Sequence, residues 1–307
     1  MKNEGPLMHL PILLIFFLLM APSHAQEIAI TIDDVPVGDS RVYTGAERTR
    51  VLIDNLKKAG VADVLLYANT SRFNGETLKR IDAYRQAGFH IGNHSHSHYS
   101  PRRVELSVYL EDITTAHNIL KVRAEFLPYY RYPFLHEGQD QPTRDAIRAH
   151  LDSLGYHSGY VTVDNYEWYL NALLQQALQA GQSVDYEKLK DAYVTLLWEN
   201  IRFYDGIARE ALGRSPKHVL LVHENDLTAM YIDDLVAFLR ENGWKIISPQ
   251  EAYQDPIAKM APDVLFNNQG RVAAIAHEKG VARRDLVHPS EDEAWLDKWV
   301  AELGIFR

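Results

Sequence analysis

Short apolar runs recur along the chain and alternate with amphipathic segments, which is the pattern of parallel βαβ units. The first run, residues 27–32, is rich in β-branched residues and ends at the adjacent carboxylates Asp33 and Asp34. Further strands are predicted at 61–68, 90–93, 129–134, 157–164, 218–224 and 244–248, with helices at 45–59, 76–87, 104–120, 143–154 and 228–242. We therefore predict an α/β fold, a distorted (β/α) barrel with about seven parallel strands.

Two regions depart from this alternation. Residues 166–213 hold two amphipathic segments separated by Gly181, which predict a helical hairpin inserted into the barrel. Such an insertion can cover the barrel, mediate oligomerisation or form a wall of the substrate site. Beyond Pro249 the chain is polar and predicted to be mostly irregular, until a last helix starting at Ser290 with Glu293 completing a capping box. The predicted organisation is a barrel over 26–250 and an extension over 251–307 packed on it.

The first 25 residues have the pattern of a secretory signal peptide. An apolar run from Ile12 to Ala21 follows Lys2 and precedes the small-residue cleavage signature Ser23-His24-Ala25. The run is shorter than the ~20 apolar residues that span a bilayer, although an uncleaved anchor is the alternative. We predict cleavage before Gln26, an exported protein in the periplasm or outside the cell, and no stable membrane insertion after cleavage.

Charge and composition exclude some classes of function. The net charge is −9, so nucleic acid is not an expected partner, because phosphate binding needs concentrated Lys and Arg. The chain has no cysteine, so it has no disulfides and no thiol nucleophile. Any bound metal must be held by histidines and carboxylates.

Histidines at alternate positions 94, 96 and 98 indicate a metal site, because neutral imidazole is a common metal ligand. A polar loop rich in His and Ser is the alternative. In parallel α/β proteins, functional residues gather where strands end. The predicted strand ends also carry Asp33, Asp34, Arg131, Asp164 and His223. Two His and a carboxylate can bind a metal, while a second carboxylate and a distant His can serve as base and acid.

Four segments in this order resemble motifs of the polysaccharide deacetylase family, the NodB-homology group of carbohydrate esterase family 4. They are Thr31-Ile32-Asp33-Asp34, His94-Ser95-His96-Ser97-His98, Arg131-Tyr132-Pro133-Phe134 and Leu220-Leu221-Val222-His223. The resemblance implies a metal-dependent hydrolase that removes N-acetyl groups from an amino-sugar-containing glycan. It also implies a divalent metal, with zinc expected, held by Asp34, His94 and His98.

The resemblance assigns further roles along the chain. Asp33 would be the base that takes a proton from water at the metal, and Arg131 would position it. His223 would be the acid that protonates the leaving amine, with Asp164 near it to favour its charged form. The expected oxyanion and substrate-binding residues are Phe134, through its backbone N–H, Trp168 and Tyr132.

Several alternatives remain open on the sequence alone. Family relatives that cleave formamides or cyclic ureides keep the fold but change the bond, and a non-catalytic glycan-binding protein would keep only the scaffold. An iron(II) oxygenase also uses two His and a carboxylate, but it needs a cosubstrate site. Adjacent strand residues point to opposite faces, so Asp33 and Asp34 can share a site only where the strand bends. His96 is expected to support the ligands or to face solvent. The insertion, with Tyr132 and Leu135 in the third motif, favours a small or terminal sugar or a particular envelope glycan.

Overall fold

The computed structural model describes Met1 and residues 25–307, and its sheet is parallel throughout. Its strands are β1 (Gln26–Val35), β2 (Leu65–Ala68), β3 (His90–Asn93), β4 (Phe126–Tyr130), β5 (His157–Ser158), β6 (His218–His223) and β7 (Trp244–Ile246). Strands β5-β4-β3-β2-β1-β6 are neighbours in that order, and β7 pairs with the start of β1. The predicted distorted (β/α) barrel with about seven parallel strands is confirmed. The predicted signal peptide lies outside the described residues.

The segment after β5 closes the sheet into a barrel. Gly159 donates its N–H to Tyr130 of β4 at 2.7 Å, and four residues later Val163 forms a parallel bridge with Leu220 of β6. The predicted strand over 157–164 is therefore wrong in extent, because only its first two residues pair with β4. A Cβ on Gly159 would lie 2.3 Å from the Tyr67 hydroxyl, so glycine is required where this segment passes so close to Tyr67.

Helices connect the strands and cover the barrel. They are α1 (Gly45–Lys58), α2 (Thr77–Gln86), α3 (Leu106–Leu120), α4 (Gln141–Ser153), α5 (Glu167–Gln179), α6 (Tyr186–Leu212), α7 (Asp226–Glu241), α8 (Pro249–Ala252), α9 (Arg271–Glu278) and α10 (Glu293–Leu303). Helix α1 starts with a capping box in which Thr44 and Glu47 satisfy each other's backbone N–H groups. Among the described helices, none is long and apolar enough to cross a membrane.

The two helices predicted between residues 166 and 213 are present as α5 and α6, and they belong to the main core. Leu189, Leu197 and Ile201 of α6 are fully buried in the same apolar cluster as Ile30 of β1. Helix α6 also packs against α7 and α9. The insertion is thus part of the barrel's core.

The C-terminal segment is more ordered than the sequence predicted. Helix α9 is buried along nearly its whole length, because its apolar residues Val272 to Ala276 all face protein. The last helix starts at Glu293, not Ser290, and its N-cap is Asp292, whose carboxylate accepts the Trp295 N–H at 2.8 Å. Ser290 is buried and its hydroxyl accepts a hydrogen bond from Asn200 of α6 instead. The predicted capping box is therefore wrong.

Candidate active site

A bend at the end of β1 brings both aspartates to one cavity. The pairing register between β1 and β2 shifts between Ile32 and Val35, and Asp34 has a left-handed backbone with φ 69°. Asp is among the few residues besides glycine that adopt this conformation readily. Strict alternation is broken at this point, so Asp33 and Asp34 both line the same cavity.

The histidine segment after β3 is a tightly wound loop. Ser95 and His98 have φ values of 70° and 57°, and the Ser95 hydroxyl accepts the His98 N–H at 2.9 Å. This winding brings the rings of His94 and His98 to a centroid distance of 4.9 Å. His96 does not join them, because its Nδ1 hydrogen-bonds with the Thr70 hydroxyl at 2.9 Å. The loop therefore presents two of its three histidines to the cavity.

Asp34, His94 and His98 form a cluster whose donor atoms lie within 4.8 Å of one another. The Asp34 Oδ1 atom lies 3.2 Å from His98 Nε2 and 3.7 Å from His94 Nε2. His94 Nδ1 lies 2.9 Å from the Arg131 carbonyl oxygen, so it donates its proton there and leaves the Nε2 lone pair free. Asp34 Oδ1 is buried without a hydrogen-bond partner among the described residues.

The charge states of this cluster suit a cation. Burial disfavours charge on Asp34, yet His98 and His94 outweigh burial and hold the pKa of this carboxyl below its ordinary value. Burial, with His94 beside it, lowers the pKa of His98 to about 4. At neutral pH the cluster offers an anionic oxygen and a neutral imidazole, which are the forms that bind metal. The orphaned oxygen and this donor set both fit a divalent ion such as Zn²⁺.

Asp33 is held by a buried arginine. The Arg131 Nη1 atom donates to both carboxylate oxygens of Asp33, at 2.9 and 3.2 Å, and the Arg131 side chain is 1% exposed. Its Nη2 donates to the Thr31 hydroxyl at 3.1 Å, and its guanidinium lies 4.3 Å from the centre of the Tyr67 ring. Asp33 Oδ2 remains 3.6 Å from His94 Nε2. The Asp33 carboxylate is thus fixed beside the Asp34–His94–His98 cluster.

His223 lines the same cavity and is paired with Glu167. In the β1–β6 register His223 is the partner of Asp33, and its Nδ1 lies 3.2 and 3.3 Å from the two Glu167 oxygens. Burial opposes the charged imidazole, but Glu167, followed by Asp34 and Asp33, raises the pKa of His223 to about 10. His223 is therefore protonated at neutral pH, which is the form that a general acid requires.

The sequence placed Asp164 near His223; Asp164 is close enough to interact with His223 electrostatically, but the residue that contacts the imidazole is Glu167. Asp164 lines the cavity too, but burial and the nearby Glu291 carboxylate raise its pKa well above the ordinary value. Glu167 is fully buried in the first turn of α5. Acidic residues are common in first turns, where they usually face solvent and complement the helix dipole. The sequence pattern therefore carried no signal that this glutamate points inward.

The cavity has a volume of about 410 Å³, and six segments of the chain line it. Phe134 has φ 58°, is half exposed, and its ring lies 4.5 Å from that of His98. Tyr132 and Trp168, the other predicted substrate-binding residues, also line the cavity. Trp168 comes from α5, and the C-terminal segment contributes Asn268. The structure thus brings nine of the ten predicted site residues to one cavity, and the tenth, Arg131, lies behind Asp33.

Comparison with known proteins supports the family resemblance that the four motifs indicate. Residues 21–158 match the family model described as polysaccharide deacetylase. These residues contain the aspartate pair, the histidine loop and Arg131, and the resemblance to that family is confirmed. No curated protein sequence matches the chain.

Solved structures share the fold at low sequence identity. The chitin deacetylase from Colletotrichum lindemuthianum has a TM-score of 0.53 at 17% identity, over 80% of this chain and 93% of that one. The peptidoglycan deacetylase PdaC from Bacillus subtilis has a TM-score of 0.50 at 18% identity, over 77% and 93%. A CE4 family pseudoenzyme from Bacillus anthracis, in a mutant with restored activity, has a TM-score of 0.53 at 18% identity, over 75% and 68%. These likenesses establish the shared fold.

Proposed function

We propose that this protein is a metal-dependent hydrolase that removes N-acetyl groups from an amino-sugar-containing glycan. The observation that carries the proposal is the arrangement around one cavity. A triad suited to binding a metal, with an orphaned carboxylate oxygen, stands beside the Asp33–Arg131 pair. His223, paired with Glu167, is the neighbour of Asp33 in the β1–β6 register. The peptidoglycan and chitin deacetylases that share the fold support the choice of substrate class.

Asp34, His94 and His98 would hold the divalent ion, which we assign as zinc. Bound there, the ion supplies an acidified water and an electrophile for the acyl oxygen. Asp33 acts as the base, because Arg131 binds its carboxylate and holds it beside the triad. The backbone N–H of Phe134 would donate to the oxygen of the acyl group as negative charge develops on it.

His223 supplies the proton that the departing amine needs. An amine leaves poorly as an anion, so amide hydrolysis requires an acid on the side of the nitrogen. Glu167 keeps His223 charged and fixes its Nδ1, which leaves Nε2 as the atom that donates. Base and acid are neighbours in the β1–β6 register, so both lie at the same end of the barrel.

The chain's own residues favour an enzyme over a non-catalytic glycan-binding protein. One structural relative is described as a pseudoenzyme, so the fold alone does not imply activity. This chain, however, keeps a buried Asp33 and a His223 that is protonated at neutral pH. A protein that only binds glycans needs neither group. The predicted signal peptide adds that the protein acts outside the cytoplasm, where envelope glycans lie.

The test is acyl release by metal-loaded protein from N-acetylglucosamine oligomers and from peptidoglycan. We expect acetate from the wild type and a decrease of roughly 10²–10⁴-fold in Asp33→Asn, because the base is removed. His94→Ala should lose the metal, whereas His96→Ala, the matched control from the same loop, should keep it. Formate in place of acetate would favour the deformylase alternative. Release of neither acid from either substrate would overturn the proposal.

A further inference from the structure

Some buried polar atoms in the described part of the chain have no hydrogen-bond partner, and three of them belong to residues that line the cavity. They are Asp34 Oδ1, Asn171 Oδ1 and Asn225 Nδ2. The first is explained as a metal ligand. Burying an amide group without a partner is costly, so the other two need a ligand of their own.

The orientation of Asn225 is set by the protein. Asn225 is the N-cap of α7, and its Oδ1 accepts the Thr228 N–H at 2.9 Å. Because only the oxygen can accept that proton, the NH₂ group is the half of the amide left without a partner. The residue is 8% exposed. Asn225 therefore presents at the cavity wall an NH₂ group that has no hydrogen-bond partner among the described residues.

Asn171 lines the same cavity from α5. It follows Glu167 by four residues on α5, so the two side chains project from one face of the helix. Glu167 contacts His223, and Asn225 lies two residues beyond His223. The two amides thus flank the acid, with an acceptor on α5 and a donor at the start of α7.

We propose that Asn171 and Asn225 form a hydrogen-bonding subsite for ring hydroxyls of the amino sugar, and that they select the sugar whose amide is cleaved. This inference rests on the proposed function. His223 protonates the nitrogen, and that nitrogen is attached to the sugar ring, so the ring lies on the side where the two amides stand. A sugar hydroxyl both donates and accepts, which matches one donor and one acceptor.

The experiment pairs enzyme variants with substrates that lack single hydroxyls. Asn225→Ser removes the free donor but keeps a good N-cap, and Asn171→Leu removes the acceptor at similar size. Gln250→Met is the matched control, since Gln250 Oε1 is also buried without a partner among the described residues but lies outside the cavity. The substrates are the methyl glycoside of N-acetylglucosamine and its monodeoxy analogues.

We expect each amide variant to lose roughly tenfold in kcat/KM on the full substrate, the effect of one lost hydrogen bond. On one of the deoxy analogues, the wild type should show the same tenfold loss in kcat/KM. The variant that lacks the matching amide should show no further loss on that analogue. Calorimetric binding of the deacetylated glycoside to chelator-treated protein should show the same pattern, and Gln250→Met should behave as wild type. If the analogues lose equal factors in variants and wild type, this subsite is refuted while the proposed function stands. If wild type releases no acetate at all, both fall.

Discussion

Two aspartates in this cavity have pKa values shifted in opposite directions because their neighbours differ. Asp34 faces His98 and His94, which hold the pKa of its carboxyl below the ordinary value in spite of burial. Asp164 is more deeply buried and has Glu291 near it, and its pKa rises well above the ordinary value. The surroundings thus favour the anion of Asp34, the form that can bind a metal, and the neutral form of Asp164. The surroundings of each carboxyl therefore decide whether it suits a metal ion or a hydrogen-bond partner.

The carboxylate of Glu167 should control the alkaline limit of activity. His223 donates its proton, so activity is retained below its pKa of about 10 and is lost as the pH rises through that value. Glu167→Gln keeps the shape but removes the charge that raises this pKa. We expect the alkaline limb of the kcat profile to move down by roughly one to three pH units. Glu187→Gln, an exposed glutamate of α6, is the matched control. An unchanged limb in Glu167→Gln would show that His223 is not the titrating acid.

Motif residues could be identified from the sequence because each stands at a predicted strand end, where the fold gathers functional groups. Glu167 could not, because its inward direction depends on the packing of α5 against β6. The spacing of the three histidines was likewise ambiguous. A strand would have grouped all three on one face, whereas the positive φ of Ser95 and His98 turns His96 away. Backbone conformations of this kind are not encoded in a pattern of residue types.

At the scale of elements, α3 fixes the histidine loop from outside the cavity. The buried Asp112 of α3 accepts the N–H of His96 at 2.8 Å and that of Ser97 at 3.0 Å. A carboxylate that receives two loop amides limits the conformations open to the segment between the two metal-facing histidines. The loop geometry is thus a product of contact between β3, its loop and α3.

We expect Asp112→Ala to weaken metal binding although Asp112 is not a ligand. The freed loop would hold His94 and His98 less well, and loss of such supporting contacts typically costs 10–100-fold in metal affinity. Competition titration with a chromophoric chelator measures the affinity directly. Glu111→Ala removes the exposed neighbour on the same helix and should bind as wild type does. Equal affinities in the two variants would mean that the loop holds its shape without α3.

At the scale of the whole molecule, the insertion and the C-terminal segment share one core with the barrel. Buried residues of β1, α6, α9 and α10 lie in a single apolar cluster. An antiparallel bridge between Val184 and Phe306 further joins the loop between α5 and α6 to the C-terminus. The sequence divided the chain at residue 250 because loops and polar stretches there resemble a boundary. The apolar run of α9 stands within a mostly polar stretch, and its burial depends on the partner surface that α6 offers.

This shared core predicts that damage within the insertion destabilises the whole chain. Leu197 of α6 is fully buried, and Leu197→Ala should lower the free energy of unfolding by about 2–5 kcal/mol. Because β1 and α9 pack in the same cluster, their amides should lose protection together with those of α6. Hydrogen exchange followed by mass spectrometry measures each element separately. Thr195→Ala, an exposed position on the same helix, should change stability by no more than about 0.5 kcal/mol. Faster exchange confined to α5 and α6 would show instead that the insertion unfolds on its own and that the barrel is stable without it.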